Sequence, residues 1–172
     1  MQIPPRPTDF AVTAVIPNKN IVGRGYTLSI YVTVENQGDI TETFEVYVYA
    51  NTTIIQTKTI TLTSTSSTSL TFTWNTTGFV KGNYTIKAEV SFYGDIDIAD
   101  NTFTDDVVTV TIPGDSDGDY DVDSADLFRL APAYLSIIGG PCYNPNCDFD
   151  NDGDIDSSDL FILAPNFLQE DP

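Results

Sequence analysis

The chain has 172 residues and a formal charge of −18, with 25 acidic residues, seven basic ones and no histidine. So acidic a surface repels nucleic acid and anionic membranes, and without histidine neither a Ser-His-Asp triad nor a Cys-His pair can be built. No run of 18 apolar residues is present to span a membrane, and the start, MQIPPRPTDF, lacks a signal-peptide apolar core, so an exported protein is expected here in mature or recombinant form.

Residues 1–8, with three prolines, read as an extended tail. From residue 9 to 113 the apolar period is two, the signature of half-buried strands. Phe10, Val12, Ala14 and Ile16 form one face of a first strand, Leu28, Ile30, Val32 and Val34 of a second, and Phe44, Val46, Val48 and Ala50 of a third. A fourth covers 54–62 after a turn at Asn51-Thr52, and Leu70, Phe72 and Trp74 mark a fifth. Tyr84, Ile86, Ala88, Val90 and Phe92 mark a sixth, and Val108, Val110 and Ile112 a seventh. Seven short antiparallel strands in this length predict a mainly β fold, an immunoglobulin-like β-sandwich, with Trp74 in its core. Tyr31, Tyr47 and Tyr49 have the outward parity, as an exposed tyrosine strip on adjacent strands for glycans or protein, or as ordinary surface tyrosines. The sequons at Asn51, Asn75 and Asn83 fall at strand ends and turns, where a glycan is solvated, and are candidate glycosylation sites. No glycine-rich phosphate cradle is present, since the Gly23-Arg24-Gly25 run leads into a strand, and the acids of the sandwich are scattered; no enzyme is expected.

Residues 114–172 read as a separate domain carrying 14 acidic residues against one cation, Arg129. The stretch DSDGDYDVDSADLFRLAP, which begins at Asp115, recurs as DFDNDGDIDSSDLFILAP from Asp148. Asp115, Asp117, Asp119, Asp121, Asp123 and Asp126 align with Asp148, Asp150, Asp152, Asp154, Asp156 and Asp159. Acids at positions 1, 3, 5, 7, 9 and 12 are what a calcium loop needs, because alternate residues of a tight loop aim their oxygens at one centre and the twelfth closes the shell at a helix start. Two Ca²⁺ ions are therefore expected. Val122 and Ile155, at position 8, are expected to pair with each other and clamp the loops back to back. Pro132 and Pro165 are expected to end or kink the two helices near Ala131 and Ala164. Cys142 and Cys147, between the repeats, read as a local disulfide or as two free thiols, the disulfide being favoured in an extracellular calcium protein.

Two such loops, each followed by a helix and with Asp at position 12, resemble a dockerin domain over residues 114–168. The resemblance implies side-chain ligation by Asp115, Asp117, Asp119 and Asp126, and by Asp148, Asp150, Asp152 and Asp159. It implies carbonyl ligation from Asp121 and Asp154, and contacts through water from Asp123 and Asp156. Position 6 departs from the pattern in the first loop, where Tyr120 replaces the glycine kept at Gly153, so the first site is expected to be strained and weaker. Partner contacts are implied for Ser124, Ala125, Ser157 and Ser158, with Phe128 and Phe161 as exposed aromatics packing on the chain's own sandwich or a neighbouring copy. The basic residues that follow on that face in the family are replaced by Ala131-Pro132 and Ala164-Pro165. Upstream, DFAVTAVI, VTVENQGD, LTFTWNTTG, GNYTIKAEV and DNTFTDDVVTVTI resemble a CARDB domain, an adhesion-related module of prokaryotic surface proteins. Together these imply an extracellular, non-enzymatic adhesion protein that assembles through a cohesin-like partner or other copies of itself. A self-assembling filament subunit is the leading form of that reading. Docking to a cohesin, or a carbohydrate-binding accessory role on surface glycans, is the alternative.

Overall fold

The computed structural model describes residues 8–170, so the expected tail, apart from Thr8, lies outside the described residues. Eight strands follow: β1 (Phe10–Pro17), β2 (Ile21–Gly23), β3 (Thr27–Asn36), β4 (Glu42–Ala50), β5 (Thr53–Leu62), β6 (Ser66–Asn75), β7 (Gly82–Ser91) and β8 (Thr102–Thr111). They form a three-stranded sheet in the order β1-β3-β6 and a five-stranded sheet in the order β2-β8-β7-β4-β5, an immunoglobulin-like arrangement. The seven expected strands are present. The eighth, β2, pairs in parallel with β8, Ile21 opposite Thr109 and Gly23 opposite Thr111. Three residues are too few to show a period of two, which is why the sequence hides it.

Contacts divide the chain into two compact units, one of residues 1–17, 30–73 and 85–106, the other of 18–29, 74–84 and 107–172. In the first, Val46, Val48, Ala50, Ile86 and Ala88 are buried as the alternation requires. Phe10 stacks on Phe44 at 4.2 Å and meets Phe92 edge-on at 5.2 Å. The register of β1 against β3 shifts between Val12 and Ala14, a bulge that turns Val15 inward and leaves Ile16 exposed, opposite to the uninterrupted alternation expected for this strand. Tyr31 stands on β3 and Tyr47 and Tyr49 on β4, in different sheets, so the three do not form one strip. Tyr47 and Tyr49 alone are neighbours, at 6.5 Å, and Lys87 covers the Tyr49 ring.

In the second unit Trp74 is buried as expected and meets Phe79 and Tyr84 edge-on. Beyond β8 come β9 (Asp121–Val122), α1 (Ser124–Ala133), β10 (Ser136–Ile137), β11 (Asp154–Ile155), α2 (Ser157–Leu163), a 3₁₀ turn (Ala164–Asn166) and β12 (Gln169–Glu170). Pro165 ends α2 as expected, the chain tightening into the 3₁₀ turn. Pro132 lies in the last turn of α1, which ends at Ala133, two residues past Ala131. Val122, Ile155, Leu130, Leu163, Ile112, Ala133, Cys147 and Phe149 form one buried cluster. Val122 and Ile155 share this cluster without pairing strand to strand, contrary to the sequence expectation. β9 pairs with β12 and β10 with β11, so each position-8 residue faces the segment that follows the other repeat's helix.

Candidate metal centre

The two loops share most of their hydrogen bonds at equivalent positions of the repeat and differ at position 1. Asp126 and Asp159 are at most 1% exposed, and each sits in the first turn of a helix whose N-cap is an aspartate. Asp126 accepts from the Ser116 N–H at 2.6 Å and the Asp123 N–H at 2.8 Å. Asp159 accepts from the Phe149 N–H at 2.6 Å and the Asp156 N–H at 2.9 Å. Asp123 and Asp156 cap α1 and α2 by accepting from Ala125 and Ser158, a reciprocal capping box in both repeats. Position 1 holds each loop closed: Asp115 accepts from the Asp117, Gly118 and Tyr120 N–H groups, and Asp148 from those of Asp152 and Gly153. Asp119 and Asp152, at position 5, accept from the N–H groups of Asp121 and Asp154.

These bonds leave oxygens that face one another. Carboxylate oxygens of Asp115, Asp117 and Asp126 lie within 4.8 Å of one another, as do those of Asp121, Asp123 and Asp126, and those of Asp148, Asp150 and Asp159. One oxygen each of Asp117 and Asp150, at equivalent positions, is buried with no hydrogen-bond partner. A buried orphan acceptor is costly, and a convergent set of carboxylates carrying one fits a hard cation, which takes six to eight oxygens. Burial pushes Asp117 up to about 6, the charges of Asp119, Asp126 and Asp115 adding to it and Arg129 opposing. Burial likewise raises Asp159 to about 6 against its main-chain hydrogen bonds. Arg129 reaches Asp117 at 3.6 Å from a half-exposed position.

The environments of the loops differ. The Thr111 hydroxyl donates to Asp115, Lys81 lies over the Tyr120 ring, and the Tyr120 hydroxyl reaches Asn83 at 3.5 Å. Tyr120 takes φ 76°, the left-handed conformation that Gly153 takes at φ 101°. The second loop is met by the β1–β2 connection: Lys19 donates to the Asp148 carbonyl, Asn18 to Asn151 and Asn146 to Asn20. Sequence reasoning missed this segment. The partners of Asn18, Lys19 and Asn20, which are Asn151, Asp148 and Asn146, lie far along the chain.

Cys142 and Cys147 are not bonded. Cys142 is exposed, whereas Cys147 turns into the apolar cluster beside Phe149, where burial pushes its thiol up to about 12. That inward turn is the physical reason the disulfide expectation fails. Ser124, Ser157 and Ser158 are exposed and Ala125 is half-buried. Phe128 and Phe161 are 75% and 72% exposed. Asn51, Asn75 and Asn83 are exposed, each with its side-chain oxygen bonded within the fold. Among the described residues no helix is long and apolar enough to cross a membrane.

The comparisons with known proteins fall on the same two segments. The CARDB family model matches residues 7–109, and that of the Dockerin type I domain matches residues 113–168. A crystal structure of a CARDB domain from Pyrococcus furiosus, in complex with di-metal ions, is 27% identical, with a TM-score of 0.54 over 64% of this chain and 99% of that one. A solution structure of the same domain gives 29% identity and a TM-score of 0.50, covering 60% and 94%. A domain of a putative cell surface protein from Methanosarcina acetivorans is 24% identical, with a TM-score of 0.48, covering 60% and 91%. No curated protein matches the chain. Both matched families are adhesion and docking modules, not enzymes. With 7–109 matched, more than half its length, the chain belongs to the CARDB family and carries a Dockerin type I domain behind its CARDB domain.

Proposed function

We propose that the chain is an extracellular docking protein, its sandwich serving as a spacer and its dockerin domain binding a protein partner once two Ca²⁺ ions occupy the repeats. The calcium reading is supported by the orphaned, buried oxygens of Asp117 and Asp150, which a cation would satisfy in both loops at once. Ligation is assigned to Asp115, Asp117, Asp119, Asp121 and Asp126, and to Asp148, Asp150, Asp152, Asp154 and Asp159. Asp123 and Asp156 hold the helix starts and reach an ion through water. Calcium supplies the positive charge that lets these carboxylates ionise together; the chain's own residues fix the loops and the helix starts.

The observation that carries docking is the matched exposure of Phe128 and Phe161, equivalent residues of the two repeats that project from α1 and α2. Ser124 and Ala125, with Ser157 and Ser158, flank them and complete two similar faces. Docking to a cohesin-like module is favoured over a filament of identical copies, because the match to the Dockerin type I domain covers both repeats. The exposed sequons at Asn51, Asn75 and Asn83 suit glycosylation on an exported protein.

The test is titration of the full chain with purified type I cohesin modules, in millimolar calcium and in chelator. Calcium-dependent binding that survives Phe128→Asp or Phe161→Asp alone and is lost in the double variant is the expected result. Calcium-dependent growth in sedimentation of the chain alone, with no cohesin bound, would establish the copy-to-copy reading instead.

A further inference from the structure

Lys19 is 4% exposed, an uncommon place for an ammonium unless anionic groups receive it. Its Nζ donates to the Asp148 carbonyl, and burial lowers its proton affinity while Asp148, Asp159 and Asp150 support the charge. Those three are the carboxylates whose oxygens converge in the second repeat. Flanking contacts fix the approach: Asn18 donates to Asn151 at 2.6 Å, Asn151 to Ser29 at 3.3 Å, and Asn146 to Asn20 at 2.8 Å. The first repeat has no buried counterpart among the described residues. In both repeats the position-1 carboxylate accepts from a neutral hydroxyl, Thr111 for Asp115 and Tyr143 for Asp148, and the cation that reaches the position-3 carboxylate of the first, Arg129, is half exposed and therefore screened.

We propose that Lys19 is a tethered counter-cation of the second repeat, which competes there with the divalent ion, so that two repeats of nearly identical sequence bind calcium unequally, the first more tightly. The inference rests on the calcium reading above. Its physical content is simple: a fixed positive charge beside three ligand carboxylates repels an arriving divalent charge, and does so strongly where water is excluded. The same charge offsets the mutual repulsion of these aspartates before any ion arrives. The Tyr120 backbone does not reverse the order. Its left-handed conformation is a property of the folded loop, and only an interaction that differs between the free and bound states changes affinity.

The test is calorimetric calcium titration of the full chain at low and moderate salt, for wild type, Lys19→Met, Lys19→Arg and Asn18→Ala. Wild type is expected to show two sites, and Asp126→Asn to retain only the weaker. Lys19→Met is expected to tighten the weaker site by about tenfold or more, to narrow the gap between the sites, and to lower the melting temperature in chelator. Lys19→Arg keeps the wild-type pattern. Asn18→Ala loosens the same connection without removing charge, and weakens or preserves the weaker site. Unchanged or weakened affinity in Lys19→Met, with two sites still titrating in wild type, would overturn the inference and leave the calcium reading standing. A wild-type chain that takes up no calcium would overturn both.

Discussion

The Leu168 N–H donates to the Val122 carbonyl at 2.6 Å, and the Leu135 N–H, its equivalent after the first helix, donates to the Ile155 carbonyl at 2.7 Å. Each acidic loop is thus closed by the chain leaving the other repeat's helix, and neither repeat is complete without its partner. Removing residues 168–172 is expected to leave the Val122 carbonyl without its donor and to destabilise the first loop by about 1–3 kcal/mol, the cost of an unmade buried bond. Thermal melts of the full and shortened chains in calcium check this; an unchanged melting temperature would contradict it.

Asp126 and Asp159 serve the loop twice, as acceptors of main-chain N–H groups and as candidate ligands. Asp126→Asn and Asp159→Asn are each expected to abolish one calcium site in titration while the other persists. Asp123→Ala removes a helix cap, and is expected to cost about 1 kcal/mol with a smaller loss of calcium affinity. Equal losses from Asp123→Ala and Asp126→Asn would show that the two positions are not divided in this way.

Much of this was legible in the chain. The strands from β3 to β8 follow an apolar period of two, and the loops follow a repeat that matches at every acidic position. What was hidden depends on the third dimension. The bulge beside Thr13 reverses the parity of β1, and nothing in FAVTAVIP announces it. The exchange of β10 and β12 between the repeats escapes a comparison that only aligns them. The turn of Cys147 toward Phe149 and the reach of Lys19 to Asp148 join residues whose local sequence is unremarkable.

The raised carboxylates give a pH dependence opposite to the usual one. Asp117 and Asp159 titrate near 6 in the fold, against about 3.9 for an unfolded aspartate. Between those values the folded chain binds more protons than the unfolded one, so stability is full below about pH 4 and is lost as pH rises through 6. In chelator the melting temperature should fall from pH 4 to 7. In excess calcium it should rise over the same range, because the ion requires the ionised groups. A flat profile in chelator would contradict the burial of these two acids.

Gly114, where the chain passes from β8 into the first loop, has φ 101°, and a Cβ there would lie 2.7 Å from the Leu163 Cα. Neither the conformation nor the space admits a side chain. Gly114→Ala is expected to destabilise the dockerin domain by on the order of 3 kcal/mol, combining left-handed strain with overpacking. Gly25→Ala, also at positive φ but in open space, should cost only the strain. Thermal melts of the two variants separate the contributions, and equal costs would show that the approach to Leu163 is not limiting.

The two cysteines should respond to alkylation according to burial. Cys142 is open to solvent, whereas Cys147 lies in the buried apolar cluster that includes Phe149, Val122 and Leu163, where burial pushes its thiol up to about 12. Alkylation requires both access and a thiolate, and Cys147 lacks both in the fold. Iodoacetamide at pH 8 in calcium is therefore expected to label one cysteine per chain, located to Cys142 by peptide mass. In chelator with denaturant both should be labelled. The two reaction rates in chelator alone then report how often the calcium-free repeats open, since Cys147 reacts only when its cluster comes apart. A chain that takes up no label until it is reduced would restore the Cys142–Cys147 bridge and require Cys147 to leave the core.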